Sequence, residues 1–236
     1  MITPRYYFSD DFKKYEKIFY SKAYKKVHFK KGECLCDIND NFDTMFYIID
    51  GTVKLSILHE SGHEKSVSFH GTGNLQPYYY PINFKLEKSL LLTAITDVNA
   101  LAFDKNYFYT IIKENIDLYD SLLEGLVRLI NLLMCENTSM LYDNGLVKIS
   151  NFLYSYLKTG QSKNNIIYIQ QHEIAAIAGM NRINTAKHLR ELRNRKIIST
   201  ARNKITILDE EDLFKLCSDE YKEKPATDIL NDKREI

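Results

Sequence analysis

Proline and glycine are scarce, at 4 and 9 of 236 residues, which excludes collagen-like and low-complexity architecture and fits a folded protein. An excess of one charge is missing as well. The 32 Lys and Arg stand against 31 Asp and Glu, and a net charge of +1 decides nothing about a nucleic-acid partner. Cysteine is limited to Cys34, Cys36, Cys135 and Cys217. Cys34 and Cys36 share a face if they lie on a strand, but no second pair completes a four-ligand metal site. Reduced thiols, no metal and no cofactor are therefore expected. No charged-then-apolar leader opens the chain, and no apolar run approaches the length of a bilayer span. A soluble, cytoplasmic protein without membrane contact is the expectation. Catalytic signatures are lacking too: there is no Gly-rich phosphate loop, zinc-binding helix or nucleophile elbow. His172-Glu173 fails as a metal pair because Ala176 occupies the next ligand position. The chain does not read as an enzyme.

What is present starts with a loose N-terminus and a short amphipathic helix over residues 10–20. From Val27 to Phe103, runs rich in Ile, Val, Tyr and Phe alternate with turn signals. Many short strands at near-regular spacing predict a compact β-barrel or jelly roll. Asp50-Gly51 and Ser61-Gly62 read as its hairpins, since glycine supplies the positive φ such turns need.

After Phe103 helical periodicity takes over. Leu122, Leu126, Leu129 and Leu133 form one row, and Leu123, Val127, Ile130 and Met134 form a second beside it. A helix apolar over so wide an arc must be covered on more than one side. One row can rest on its own barrel while the other meets a partner chain; burial within a monomer is the alternative. The row of Leu122, Leu126, Leu129 and Leu133 is taken as the dimer seam. Another amphipathic helix spans 146–158, a polar loop follows to Asn165, and the charged tail from Ser218 is peripheral. No internal repeat occurs.

Residues 170–192 carry the strongest pattern. A helix over Gln171–Ala178 stops at Gly179, and Asn181 caps a second helix reaching about Arg195. Two helices joined by so short a turn must cross steeply, and Ala175 lets them approach: a helix-turn-helix. Between Arg182 and Lys204 there are eight Lys or Arg and one acid, Glu191. Such a basic face displaces counterions from a phosphate backbone. Lys196 to Leu208 then reads as a two-stranded wing whose Arg202 and Lys204 reach phosphate. On the second helix Arg182, Asn184 and Lys187 are candidates for base edges, Arg182 first, with Lys187 and Arg190 also suited to phosphate. Asn181, Thr185 and His188 complete the candidate DNA surface.

With these residues in hand, the chain resembles the Crp/Fnr family of bacterial transcription regulators over nearly its whole length. The order is the family's: glycine-punctuated barrel, Phe108–Ile112 and the long helix, a connecting helix, then Glu-Ile-Ala-Ala-Ile-Ala-Gly and the wing. The resemblance implies an α+β fold. Its parts are a cyclic-nucleotide-binding-like barrel (1–110), a dimerisation helix (111–141), a winged helix-turn-helix (142–220) and a mobile tail (221–236). It implies a homodimer on an inverted repeat of double-stranded DNA, allosteric control by a signal at the junction of barrel and long helix, and contact with RNA polymerase if the member is an activator. An architectural or constitutive DNA-binding protein with a vestigial sensor is the alternative.

The departures bear on the signal. Members that bind cyclic nucleotides carry Gly-Glu and Arg-Ser pairs, where this chain has Pro77-Tyr78 and Lys88-Ser89. An acceptor for ribose hydroxyls is lost, and Lys lacks the fork that fits phosphate. Cyclic AMP is not expected. Tyr78, Tyr79 and Tyr80, with Lys88, Ser89, Leu133 and Met134, instead outline a site for a hydrophobic or aromatic effector, or simply fill a closed barrel. Four clustered cysteines for an iron–sulfur centre are absent, and haem would rely on His28, His59, His63 or His70. Thr185 and His188 replace larger apolar residues of the family, and Ile183 stands where some members present a base-reading acid.

Overall fold

In the computed structural model residues 7–37, 43–77, 89–158, 162 and 164–219 are described. The chain divides into two compact units, with Tyr6–Cys135 in the first and Glu136–Ile236 in the second.

The first unit is a two-sheet β structure. One sheet orders β1 (Tyr7–Phe8), β6 (Glu64–His70), β5 (Val53–Leu58), β8 (Leu90–Ala94) and β3 (Cys34–Cys36). The other orders β2 (Lys25–Phe29), β9 (Val98–Asp104), β4 (Thr44–Asp50) and β7 (Leu75–Gln76). β4 and β9 pair antiparallel with Phe46 opposite Ala102 and Tyr47 opposite Leu101, so alternate residues face opposite sides. Phe46, Ile48, Ala100 and Ala102 enter the core between the sheets. Met45, Tyr47, Leu101 and Phe103 enter a second core with Phe12, Phe19, Phe108 and Leu118. Both faces being covered explains why these strands read as nearly unbroken apolar runs.

Two local expectations change. Ser61-Gly62 does turn the β5–β6 hairpin, with Leu58 opposite Glu64. Asp50-Gly51 does not form a hairpin: β4 and β5 belong to different sheets, and the pair turns the chain from one to the other. Gly51 sits at φ 97°, and a Cβ there would lie 2.2 Å from the carbonyl oxygen of Asp97. The first helix is displaced towards the C-terminus, as a 3-10 turn at Lys13–Tyr15 and α1 (Glu16–Lys22). The amides of Asp10 and Phe12 are held instead by the carbonyls of Thr72 and Gly73.

Asp104 caps α2 (Lys105–Lys113) by accepting from the Tyr107 amide at 2.9 Å. Asn115 donates to the Ile111 carbonyl at 2.9 Å, and α3 (Ile116–Tyr142) follows. The face of α3 buried in the first unit is Leu118, Ser121, Gly125, Leu129 and Leu132, stepping by three or four residues. Tyr15 and Ser121 hydroxyls lie 3.0 Å apart on this face. The seam assignment of Leu129 is thereby corrected: it is 6% exposed and packs with Phe8 and Leu132 of its own chain. Leu122 also packs partly against the barrel-side core, and Leu126 is half-buried. The outward row is Leu123, Val127, Ile130 and Met134, with Leu133 exposed beside it.

The second unit packs α4 (Gly145–Lys158), α5 (Gln171–Ala178), α6 (Arg182–Asn194) and α7 (Glu210–Lys215) with a sheet ordered β10 (Ile166–Ile167), β12 (Lys204–Ile207), β11 (Ile198–Ala201). The wing thus has a third strand, β10, that two residues of sequence did not announce. Asn151 bonds the Ser218 amide at 3.0 Å and its hydroxyl at 3.1 Å, so Ser218 is tied down. Among the described residues no helix is long and apolar enough to cross a membrane.

Candidate nucleic-acid interface

The helix-turn-helix is built from backbone demands outward. The Gln170 amide donates to the Glu173 carboxylate at 2.7 Å and opens α5. Gly179 closes it at φ 62°, with the Met180 amide bonded to the Ala175 carbonyl at 2.9 Å. Asn181 then caps α6, its side-chain oxygen accepting from the Asn184 amide at 2.8 Å. Ile174, Ala175, Ile177 and Ala178 of α5 are buried, as are Thr185, Leu189 and Leu192 of α6.

With 3.6 residues per turn, the line along α6 farthest from Thr185, Leu189 and Leu192 runs through Ile183, Lys187, Arg190 and Asn194. All four are exposed. Arg182 and Asn184 are exposed on the two flanks of this ridge. Glu191, the only acid of the segment, is engaged by Arg195 at 2.5 Å, which leaves the ridge cations unopposed by it.

The flank that bears Ala186 and Arg193 faces the wing. Arg193 donates to the Thr200 hydroxyl at 2.9 Å, and Asn203 adopts φ 55° at the wing tip. Between α6 and the wing lies a groove of about 360 Å³ with Ile174 and Leu189 in its wall and Arg202 and Lys204 at its edge. Arg202 is exposed and Lys204 half-exposed. Cations thus occur on both the helix ridge and the wing, an arrangement suited to phosphates flanking a groove.

Three of the sequence-assigned DNA residues are placed differently. Thr185 is fully buried and its hydroxyl donates to the Asn181 carbonyl at 3.0 Å, so it supports the helix from within. His188 is half-buried with its ring close against Gly145, and its Nδ1 stands 3.7 Å from Glu191, too far to hydrogen-bond. Asn181 is exposed, but its side-chain oxygen is committed to the cap. Sequence reasoning placed Ile183 where some members present a base-reading acid but left it out of the candidate DNA residues, and it left out Asn194 altogether; the 3.6-residue period was the signal that could have put both on the exposed ridge.

Of the assigned effector residues, Tyr78, Tyr79, Tyr80 and Lys88 lie outside the described residues. Ser89 is half-buried, and Leu133 and Met134 are exposed on α3. The described part of the first unit holds a polar cluster that the sequence did not announce. His70 is fully buried and stacks on Phe8. Its Nε2 is 2.8 Å from the Ser68 hydroxyl, and its Nδ1 is 3.1 Å from Asn74 Oδ1 and 3.0 Å from Gln76 Nε2. Both ring nitrogens are engaged, so this histidine is not an open haem ligand. Burial lowers its pKa to about 3, which keeps the ring neutral. Among the described residues no group of three metal-ligating side chains occurs.

The two parts of the chain match two known domain families. Residues 26–115 match the cyclic nucleotide-binding domain, and residues 147–216 match the Crp-like helix-turn-helix domain. No curated protein sequence matches the chain. Solved structures share the fold. A transcriptional regulator of the Crp/Fnr family from Eubacterium rectale is 18% identical with a TM-score of 0.71, over 85% of this chain and 92% of that one. The c-di-GMP-responsive regulator CLP of Xanthomonas campestris is 11% identical with a TM-score of 0.72, over 82% and 97%. CprK complexed with OCPA is 19% identical with a TM-score of 0.64, over 90% and 98%. A cyclic-nucleotide-binding-type barrel, a 27-residue helix and a Crp-like helix-turn-helix follow one another in a single chain, and this protein belongs to the Crp/Fnr family of DNA-binding transcription regulators, whose members are not enzymes.

Proposed function

We propose that the protein acts as a homodimer that binds an inverted repeat of double-stranded DNA and changes its affinity for that site in response to a signal received by the N-terminal unit. The single observation that carries the DNA reading is the exposed ridge of α6, with Lys187 and Arg190 on it and Arg182 beside it. Arg182 is assigned to a guanine edge, Lys187 and Arg190 to base or phosphate, and Arg202 and Lys204 to phosphate.

The dimer reading rests on Leu123, Val127 and Ile130, which continue through Met134 as an exposed apolar stripe. A helix of 27 residues is long enough for such a stripe to pair with its equivalent in a second copy. The signal reading rests on α3 itself: Leu129 and Leu132 touch Phe8, which stacks on His70 of β6. A ligand or packing change in the barrel therefore has a contact route to the helix that pairs the subunits. Control requires that the effector bind the DNA-competent and incompetent arrangements with different affinity. A hydrophobic or aromatic small molecule, rather than cyclic AMP, is the proposed effector, because Pro77-Tyr78 and Lys88-Ser89 replace the residues that hold ribose and phosphate.

Fluorescence anisotropy of the purified protein on its own upstream DNA and on random duplex, at one salt concentration, tests the reading. Clear preference for the upstream sequence supports a specific regulator. Failure to bind either duplex overturns it.

A further inference from the structure

Ile183 is 81% exposed, in the first turn of α6. Among the described residues it is the single large apolar side chain exposed on α5, α6, β11 or β12. No other exposed large apolar side chain stands beside it on α6. Its neighbours on the ridge are Lys187, Arg190 and Asn194, all polar. A branched aliphatic side chain gains nothing from phosphate, so what it can gain from DNA is contact with an apolar group. In the major groove of DNA one apolar group projects from the base edges, the C5-methyl of thymine. Recognition helices address base edges with their N-terminal residues, which is where Ile183 stands.

We propose that Ile183 reads the C5-methyl group of a thymine, so that the preferred site carries thymine at one defined position in each half. The proposal rests on the reading of α6 as the recognition helix of a sequence-specific regulator. Arg182 and Lys187 then supply polar contacts on either side of an apolar one, and a cytosine at that position is disfavoured because it presents an amino group without a methyl.

The test takes the full-length protein and a duplex site selected from a random-sequence library. Each thymine of that site is replaced in turn by deoxyuridine, which lacks only the methyl. Wild-type protein should lose about fourfold in affinity at one thymine per half-site, the factor expected from one buried methyl-sized group. Ile183→Ala should bind the parent duplex more weakly by a similar factor and show no further loss with deoxyuridine at that position. Indifference of the wild type to deoxyuridine at every position overturns the proposal while leaving specific binding intact. An undiminished deoxyuridine penalty in Ile183→Ala also overturns it. A library that yields no preferred sequence overturns the specific-regulator reading, and this assignment with it.

Discussion

Arg128 of the long helix meets Asp11 at 2.9 Å, and the same carboxylate oxygen accepts from Asn74 Nδ2 at 2.9 Å. The pair links α3 to the segment before α1 and, through Asn74, to buried His70. Burial raises the Asp11 pKa and the Arg128 charge opposes that rise. Arg128→Ala leaves a buried carboxylate short of its counter-ion and should destabilise the N-terminal unit by about 1–3 kcal/mol in urea denaturation at pH 7. The deficit should shrink as the pH falls, because a protonated Asp11 no longer needs the cation. Equal stability of variant and wild type at pH 7 would show the pair to be ornamental.

His70 gives a second pH dependence of opposite sign. Its folded pKa of about 3 lies below the ordinary value of 6.5. Above pH 6.5 neither state binds the proton; as pH falls the unfolded chain is protonated first, and stability is lost progressively down towards pH 3. The loss should reach about 2 kcal/mol at pH 5. The imidazole nitrogen shifts of His70 should remain those of a neutral ring at pH 5 by NMR; protonated-ring shifts there would contradict its burial.

The outward row of α3 predicts two different failures on the same helix. Val127→Glu or Ile130→Glu should give folded monomers in sedimentation velocity, because these side chains are exposed on the surface of the single chain. Leu129→Glu should instead unfold the N-terminal unit, as it forces a charge among Phe8 and Leu132. A Val127→Glu dimer as tight as wild type would move the subunit interface elsewhere.

On DNA, Arg182→Ala should weaken binding to the preferred site by roughly 1–3 kcal/mol and leave random duplex nearly unaffected. Lys204→Gln should weaken binding to both duplexes alike. It should also flatten the slope of log affinity against log salt by about 0.9 for each phosphate no longer neutralised. Parallel weakening on both duplexes for Arg182→Ala would reduce that residue to a phosphate ligand.

The helix-turn-helix was legible because backbone chemistry marks it: Gly179 must end a helix and Asn181 must begin one. The choice between leucine rows on α3 was not legible in the same way. Ser121 and Gly125 occupy the buried stripe with Leu129, and small residues there let the helix approach its own barrel, whereas hydrophobicity alone favoured the leucines. Thr185 was mistaken for a surface residue because a hydroxyl satisfied by its own helix backbone looks polar in sequence yet sits inside. Asp50-Gly51 carries a turn signal, but no turn signal states whether the following strand joins the same sheet. The His70 cluster falls within the nine residues from Ser68 to Gln76, yet nothing in their order states that these polar side chains turn inward together.

Along α6, the residues that hold the domain together and the residues assigned to DNA by this reading are disjoint sets. Thr185, Leu189 and Leu192 are inside, while Arg182, Ile183, Lys187 and Arg190 are outside. Exchanging an exposed residue of this kind typically alters stability by no more than about 0.5 kcal/mol. The preferred operator can therefore drift, or be rewritten by an engineer, one side chain at a time, while the scaffold that presents those side chains stays under separate selection.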